Sequence, residues 1–269
     1  MSDLPSLDRR RLLRLAAAAV GLAALPTAAA AQEAEAADPR LTVETVTFQL
    51  RRQVYKGRLL RLRTGGRRPG VLLIHDQRGP DAFFRGYARR LALDGFLVML
   101  PDLLSPQNIS PEATEEAQGA LARMAPAEAM QALEAAADLL SRHAECTGAV
   151  GVVGFSWGGS FALQFAMSGA RAKAVVAYYA LPPSPERVAE IKVPVLFHWG
   201  EDDPRTAPVV DGMEKRLIGA GKVFEAYVYP DVRSGFASEP NSPRWSPTAA
   251  DLAYERSAFF LKRHVAGGA

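Results

Sequence analysis

The stretch 149-AVGVVGFSWGGSFALQFAMSG-169 decides how this chain is read. Its first part, 149–155, is a short unbroken apolar run, as expected of a strand buried on both faces. Its second part, 157–169, carries apolar residues on a helical face (Phe161, Leu163, Phe165, Ala166). Between them lies Gly154-Phe155-Ser156-Trp157-Gly158. This Gly-x-Ser-x-Gly pattern turns a strand sharply into a helix and exposes the serine at the bend. Side chains at the glycines would collide in such a turn. The helix N-terminus behind the serine favours negative charge developing there. The pattern alone recurs by chance in about one chain of this size in ten, so the strand before it and the helix after it give it its weight. The spacing does not fit the Gly-x-Gly-x-x-Gly of dinucleotide sites. Ser156 is therefore the candidate nucleophile.

Outward from this turn, strand and helix alternate. Residues 42–50 and 54–62 show partial period-2 patterning and read as an antiparallel opening pair. A buried strand follows at 70-GVLLIHD-76. Then comes a helix over 82–94 with Phe83, Phe84, Tyr87, Leu91 and Leu93 inward. The strand 96-FLVML-100, a loop over 101–111 and helices over 112–124 and 127–143 complete the first half. After the central turn, strand 173–179 leads to a short helix near 185–190. Strand 193–199 leads to helix 208–220, and strand 223–229 to helix 247–265. Such repeated units imply a mainly parallel sheet with helices on both faces. Sites in these sheets form beyond the carboxyl ends of the strands.

The residues just after each strand are informative. Gly200-Glu201-Asp202-Asp203-Pro204 follows strand 193–199 and places a carboxylate where a serine nucleophile's histidine would be oriented. Asp203 is the preferred residue and Asp202 the alternative. Asp76-Gln77-Arg78-Gly79 follows strand 70–76. The backbone N–H of Trp157, with that of Gln77 as second donor, would form an oxyanion hole.

The segments IHDQRG, PDLLS, GVVGFSWGG, VLFHWGEDDP and YPDVRSGFA, in this order and spacing, resemble the dienelactone hydrolase family of α/β-hydrolases over roughly residues 42–265. The resemblance implies an α/β-hydrolase fold and hydrolysis of small esters or lactones by a Ser or Cys nucleophile, an Asp and a His. It implies no cofactor or metal. It assigns the nucleophile to Ser156 and the aspartate to Asp203. Asp76 falls where the family commonly has glutamate.

One position departs from that pattern. Where the family places its histidine, this chain reads Tyr229-Pro230-Asp231-Val232-Arg233-Ser234-Gly235-Phe236. The frame is intact and the histidine is Ser234. Four residues on, where some members hold a substrate carboxylate with arginine, stands Ser238. A serine hydroxyl needs a base as it attacks, and Ser234 is not one near neutral pH. The candidates for a substitute are Asp76, water or one of the four histidines, His75, His143, His198 and His264. For each histidine a structural role is the simpler reading. Pocket-lining candidates are Phe83, Arg78, Trp157, Tyr179 and Trp245.

The N-terminus reads as an address. Asp8-Arg9-Arg10-Arg11-Leu12-Leu13 resembles a twin-arginine export signal. An alanine-rich stretch over 15–30 follows and ends in an Ala-x-Ala context before Gln32. It falls short of the roughly 20 apolar residues a stable membrane span needs. The expected organisation is a signal peptide over 1–31, a flexible linker over 32–40 and one domain over 41–269, with a periplasmic or secreted destination. The formal charge is +3, of which residues 1–31 contribute +2, leaving a body at +1. That balance gives no electrostatic case for nucleic acid. The lone Cys146 excludes an internal disulfide and a cysteine metal cluster. The expected partner is a small-molecule ester or lactone.

Overall fold

The computed structural model describes residues 38–110, 112–169 and 171–267. The expected signal peptide and most of the expected linker lie outside them. The linker's last residues are tied down: Asp38 accepts from Arg40 and from Arg89.

One sheet of eight strands runs through the domain in the order β1-β2-β4-β3-β5-β6-β7-β8. β1 (Leu41–Leu50) and β2 (Gln53–Leu62) form the expected antiparallel pair. β2 is also antiparallel to β4 (Leu97–Asp102). From there the sheet is parallel through β3 (Arg68–Ile74), β5 (Cys146–Phe155), β6 (Ala172–Tyr178), β7 (Val195–Gly200) and β8 (Phe224–Tyr229). The apolar runs of β3 and β5–β7 are explained by helices on both faces. α1 (Ala82–Leu93) and α6 (Pro247–Val265) cover one face through Phe84, Leu91, Phe260 and Leu261. α2 (Thr114–Arg123), α3 (Pro126–Arg142), α4 (Trp157–Ser168) and α5 (Ala207–Gly219) cover the other through Leu121, Leu133, Phe165 and Leu217. This is the α/β-hydrolase architecture.

The strand order also locates a site. The chain leaves β3 for β4 on one side, then crosses to β5 on the other. In open parallel sheets a site is expected where the order reverses, here beyond the carboxyl ends of β3 and β5. Those two ends carry the 75–79 loop and Ser156.

Local differences from the sequence reading have physical causes. β4 extends to Asp102 because Lys56 of β2 pairs with it. β5 begins at Cys146, three residues early, because Arg68 pairs there. The loop after β4 holds a 3-10 turn, Ser105–Gln107, and the segment near 185–190 is also a 3-10 turn, Pro185–Glu190. On α1, Phe84, Tyr87 and Leu91 are buried, whereas Phe83 and Leu93 are only partly so. Arg85 is buried there instead, donating to the Pro80 carbonyl and to Glu112.

His198 of β7 points into the core, as expected. Its Nδ1 lies 2.9 Å from the Tyr229 hydroxyl and its Nε2 2.9 Å from Ser257 Oγ. Ser257 in turn meets the Tyr178 hydroxyl at 2.8 Å. Burial, with a smaller push from Arg256, holds this imidazole well below its usual pKa of 6.5. The unfolded chain therefore binds a proton below pH 6.5 that the folded chain refuses, and stability falls on acidification. Compared with His198→Gln, the wild type should lose about 1.4 kcal/mol per pH unit below that point. Urea unfolding at pH 7.5 and 5.5 measures it, and parallel pH profiles for the two proteins would refute it.

Candidate active site

Ser156 caps α4 with φ 50° and ψ −111°. A non-glycine residue held at positive φ costs on the order of 1–3 kcal/mol and persists only where its surroundings enforce it. Three glycines supply that enforcement. A Cβ on Gly154 would meet the Gly158 carbonyl oxygen at 2.3 Å, and one on Gly158 would meet the His75 carbonyl oxygen at 2.3 Å. A Cβ on Gly159 would meet that of Ala180 at 2.7 Å. The first contact makes the turn tight. The second presses the loop after β3 against the elbow.

That loop is a turn in which Gly79 N–H donates to the Asp76 carbonyl at 3.2 Å. Among the described residues, neither the Trp157 nor the Gln77 backbone N–H donates to another group. Gln77 is exposed at the turn. Two unspent donors thus sit on the two segments that Gly158 brings into contact.

Asp203 is buried after β7, 1% exposed. Gly200 lets this strand end meet the loop after β8, since a Cβ there would lie 2.3 Å from the Val232 carbonyl oxygen. Asp203 and Ser234 are thereby neighbours, but a guanidinium stands between them. Arg205 donates Nε to Asp203 Oδ1 at 3.1 Å and Nη2 to Oδ2 at 2.9 Å. The same Nη2 donates to Ser234 Oγ at 2.6 Å. An arginine stays protonated in proteins and cannot serve as a base. Asp202, the alternative acid, is exposed and lines a cleft of about 570 Å³ with Val232, Arg233 and Trp245. Sequence reasoning missed Arg205, although its place two residues after Asp203 allows the fold-back.

The second carboxylate is also occupied, which corrects the expectation that Asp76 is free to act as a substitute base. Arg78 Nη2 donates to Asp76 Oδ2 at 2.6 Å, and Arg78 Nε to Oδ1 at 3.1 Å. Arg78 backbone N–H adds a bond to Oδ1 at 2.9 Å. Burial works against the Arg78 guanidinium, but its hydrogen bonds to Asp76 and the charges of Asp76, Asp81 and Glu239 outweigh that cost and hold its pKa above the usual arginine value. The cluster continues to Ser238, which accepts from Tyr179 at 2.5 Å and from Arg78 at 3.2 Å. Tyr179 holds φ 36° to do so and is buried, so it does not line a pocket as expected. Phe83 and Trp245 do form a partly exposed aromatic pair beside Phe155.

The four histidines have other employment, and among the described residues none hydrogen-bonds Ser156. His143 accepts from Glu145 N–H, His264 accepts from Arg263, and His198 is bound as above. His75 is buried, its Nδ1 2.7 Å from the Asp76 carbonyl oxygen.

Known proteins share this arrangement of strands. The solved dienelactone hydrolase from Anabaena variabilis aligns with a TM-score of 0.65 and 21% identity, over 84% of this chain and 99% of that one. A dienelactone hydrolase-like promiscuous phosphotriesterase from metagenomic libraries aligns with a TM-score of 0.71, 21% identity and the same coverage. The carboxymethylenebutenolidase of Rhodococcus opacus is 30% identical over 212 residues, 74% of this chain and 82% of that protein. The family model of the dienelactone hydrolases matches residues 57–265, from within β2 to the end of α6. The strand order, the elbow after β5 and this match agree, and the chain belongs to the dienelactone hydrolase family.

Proposed function

We propose that this chain is an exported hydrolase of small carboxylic esters or lactones that uses Ser156 as nucleophile and turns over slowly. Ser156 Oγ attacks the carbonyl carbon and its proton passes to water. The Trp157 and Gln77 N–H groups hold the oxyanion until the leaving group departs, and water then hydrolyses the acyl-enzyme. The strained elbow and its two unspent donors support this chemistry. The observation that carries the slow turnover is Arg205, which fills the space between Asp203 and Ser234 where the family's histidine would act. The oxyanion hole and binding alone still leave roughly 10³–10⁴-fold over water.

The test is hydrolysis of p-nitrophenyl acetate by the chain from Gln32 beside Ser156→Ala. Wild type should exceed the variant by at least about tenfold. A second reading, a pocket that binds a small molecule without turnover, is favoured by the occupation of both carboxylates by arginines. Equal rates for the two proteins would overturn turnover at Ser156 and leave that second reading standing.

Export rests on residues 1–31, and the lone Cys146 suits a route that carries folded chains. Lysines at Arg9, Arg10 and Arg11 should retain the protein in the cytoplasm. Unchanged recovery from the periplasmic fraction would sink this.

A further inference from the structure

His75 is fully buried, stacks on the Trp157 side chain, lies two residues before Gln77, and takes no part in the attack by Ser156. Its ring stacks on Trp157 with centroids 6.0 Å apart and planes 12° apart, and meets Phe84 edge-on at 6.3 Å. Its Nδ1 lies 2.7 Å from the Asp76 carbonyl oxygen. A carbonyl oxygen only accepts, so Nδ1 carries the proton. Nε2 is then a bare lone pair, and it is the ring atom left buried without a partner. The tautomer and the unpartnered nitrogen agree, because an orphaned acceptor is better tolerated than an orphaned N–H.

The bonded carbonyl belongs to the Asp76–Gln77 peptide. A trans peptide is planar, so its N–H points opposite its oxygen. Fixing the Asp76 oxygen therefore fixes the direction of the Gln77 N–H. The oxygen is held twice, by His75 Nδ1–H and by Gly79 N–H at 3.2 Å. On the other side of the same residue, Arg78 grips the Asp76 carboxylate. The peptide is anchored at its oxygen and at the side chain before it.

We propose that His75 is a positioning residue of the oxyanion hole, aiming the Gln77 N–H through its bond to the Asp76 carbonyl and bracing Trp157 by stacking. This rests on the reading of Ser156 as nucleophile and Gln77 as donor. It also separates His75 from the role of substitute base, for which Nε2 and not Nδ1 would be the working atom.

The two roles separate by substitution. His75→Leu keeps most of the volume and loses both nitrogens. His75→Asn keeps a donor near the place of Nδ1 and loses Nε2. The readout is labelling of Ser156 by diethyl p-nitrophenyl phosphate, followed as nitrophenolate release and by intact mass. In that reaction the Oγ–P bond forms, the P–O bond to nitrophenolate breaks, and the serine proton goes to solvent. His75→Leu should label on the order of 10²-fold more slowly than wild type, the cost of misplacing one oxyanion donor. His75→Asn should recover about fivefold or more of that loss, the value of one hydrogen bond. Equal losses in both variants would overturn the proposal, as would no loss in either. Where a variant does not fold, nitrogen NMR of the intact wild type decides. A protonated Nδ1 and bare Nε2 on His75 are expected, and the opposite tautomer overturns the proposal. Failure of wild type to label while Nδ1 is protonated would count against Ser156 as nucleophile, not against the clamp on the peptide.

Discussion

A Ser234→His, Arg205→Ala double variant is expected to hydrolyse p-nitrophenyl acetate about 10²–10³-fold faster than wild type, whereas Ser234→His alone should gain less than about tenfold. The difference comes from the place that Arg205 occupies. A catalytic histidine must give its Nδ1–H to the aspartate and carry a positive charge as it takes the nucleophile's proton. In this chain both oxygens of Asp203 already accept from Arg205. The guanidinium also reaches within 2.6 Å of Ser234 Oγ, so an imidazolium introduced there would form beside a like charge. A like charge at that range disfavours the protonated ring and lowers its worth as a base. Removing Arg205 frees the carboxylate and removes the repulsion together. Arg205→Ala by itself supplies no base and should leave the rate near wild type. Steady-state rates for the four proteins form a double-mutant cycle with strong positive coupling. Additive effects would show that Arg205 does not stand in the histidine's way.

The fold was largely legible because its signals are local. Continuous apolar runs marked β3, β5, β6 and β7, and the opening antiparallel pair appeared where period-2 patterning was expected. What escaped was side-chain traffic. Phe83 reads as an inward residue by spacing, yet Arg85 takes the buried place because the Pro80 carbonyl and Glu112 satisfy its guanidinium. Spacing cannot show such a partner, since Glu112 is distant in sequence. At the site, Ser156 sits on the strained turn that the glycines announce. The serine at 234 was readable, but the Arg205 guanidinium that bridges it to Asp203 was not. Arg205 and Arg78 each lie two residues after a carboxylate and fold back on it. An Asp-x-Arg triplet in a loop does so only when the surrounding backbone makes the turn. The same turn gives Asp76 an acceptor's role in place of a base's, which no composition or motif reveals.

Gly158→Ala is expected to lower stability by about 3 kcal/mol or more, and the melting temperature by about 6–12 °C. It should also slow Ser156 chemistry by on the order of 10²-fold. Helix propensity argues the other way, because alanine is the better helix former by about 1 kcal/mol. The site decides the sign. A Cβ on Gly158 would lie 2.3 Å from the His75 carbonyl oxygen and 2.7 Å from that of Ile74. Both are backbone atoms of β3 and the loop after it, so nothing flexible can yield. Relief requires the 75–79 loop to move off the elbow, and that loop carries the Gln77 donor. Stability and rate should therefore fall together, through one displacement. Gly86→Ala is the matching control: it too lies in a helix, α1, but a Cβ there has nothing within 4 Å. That variant should be neutral or stabilised by up to about 1 kcal/mol, with its rate unchanged. Thermal melts and ester hydrolysis of both variants check the claim. A Gly158→Ala protein that melts like Gly86→Ala would mean the loop and the elbow are not pressed together, and the proposed second oxyanion donor would lose its structural basis.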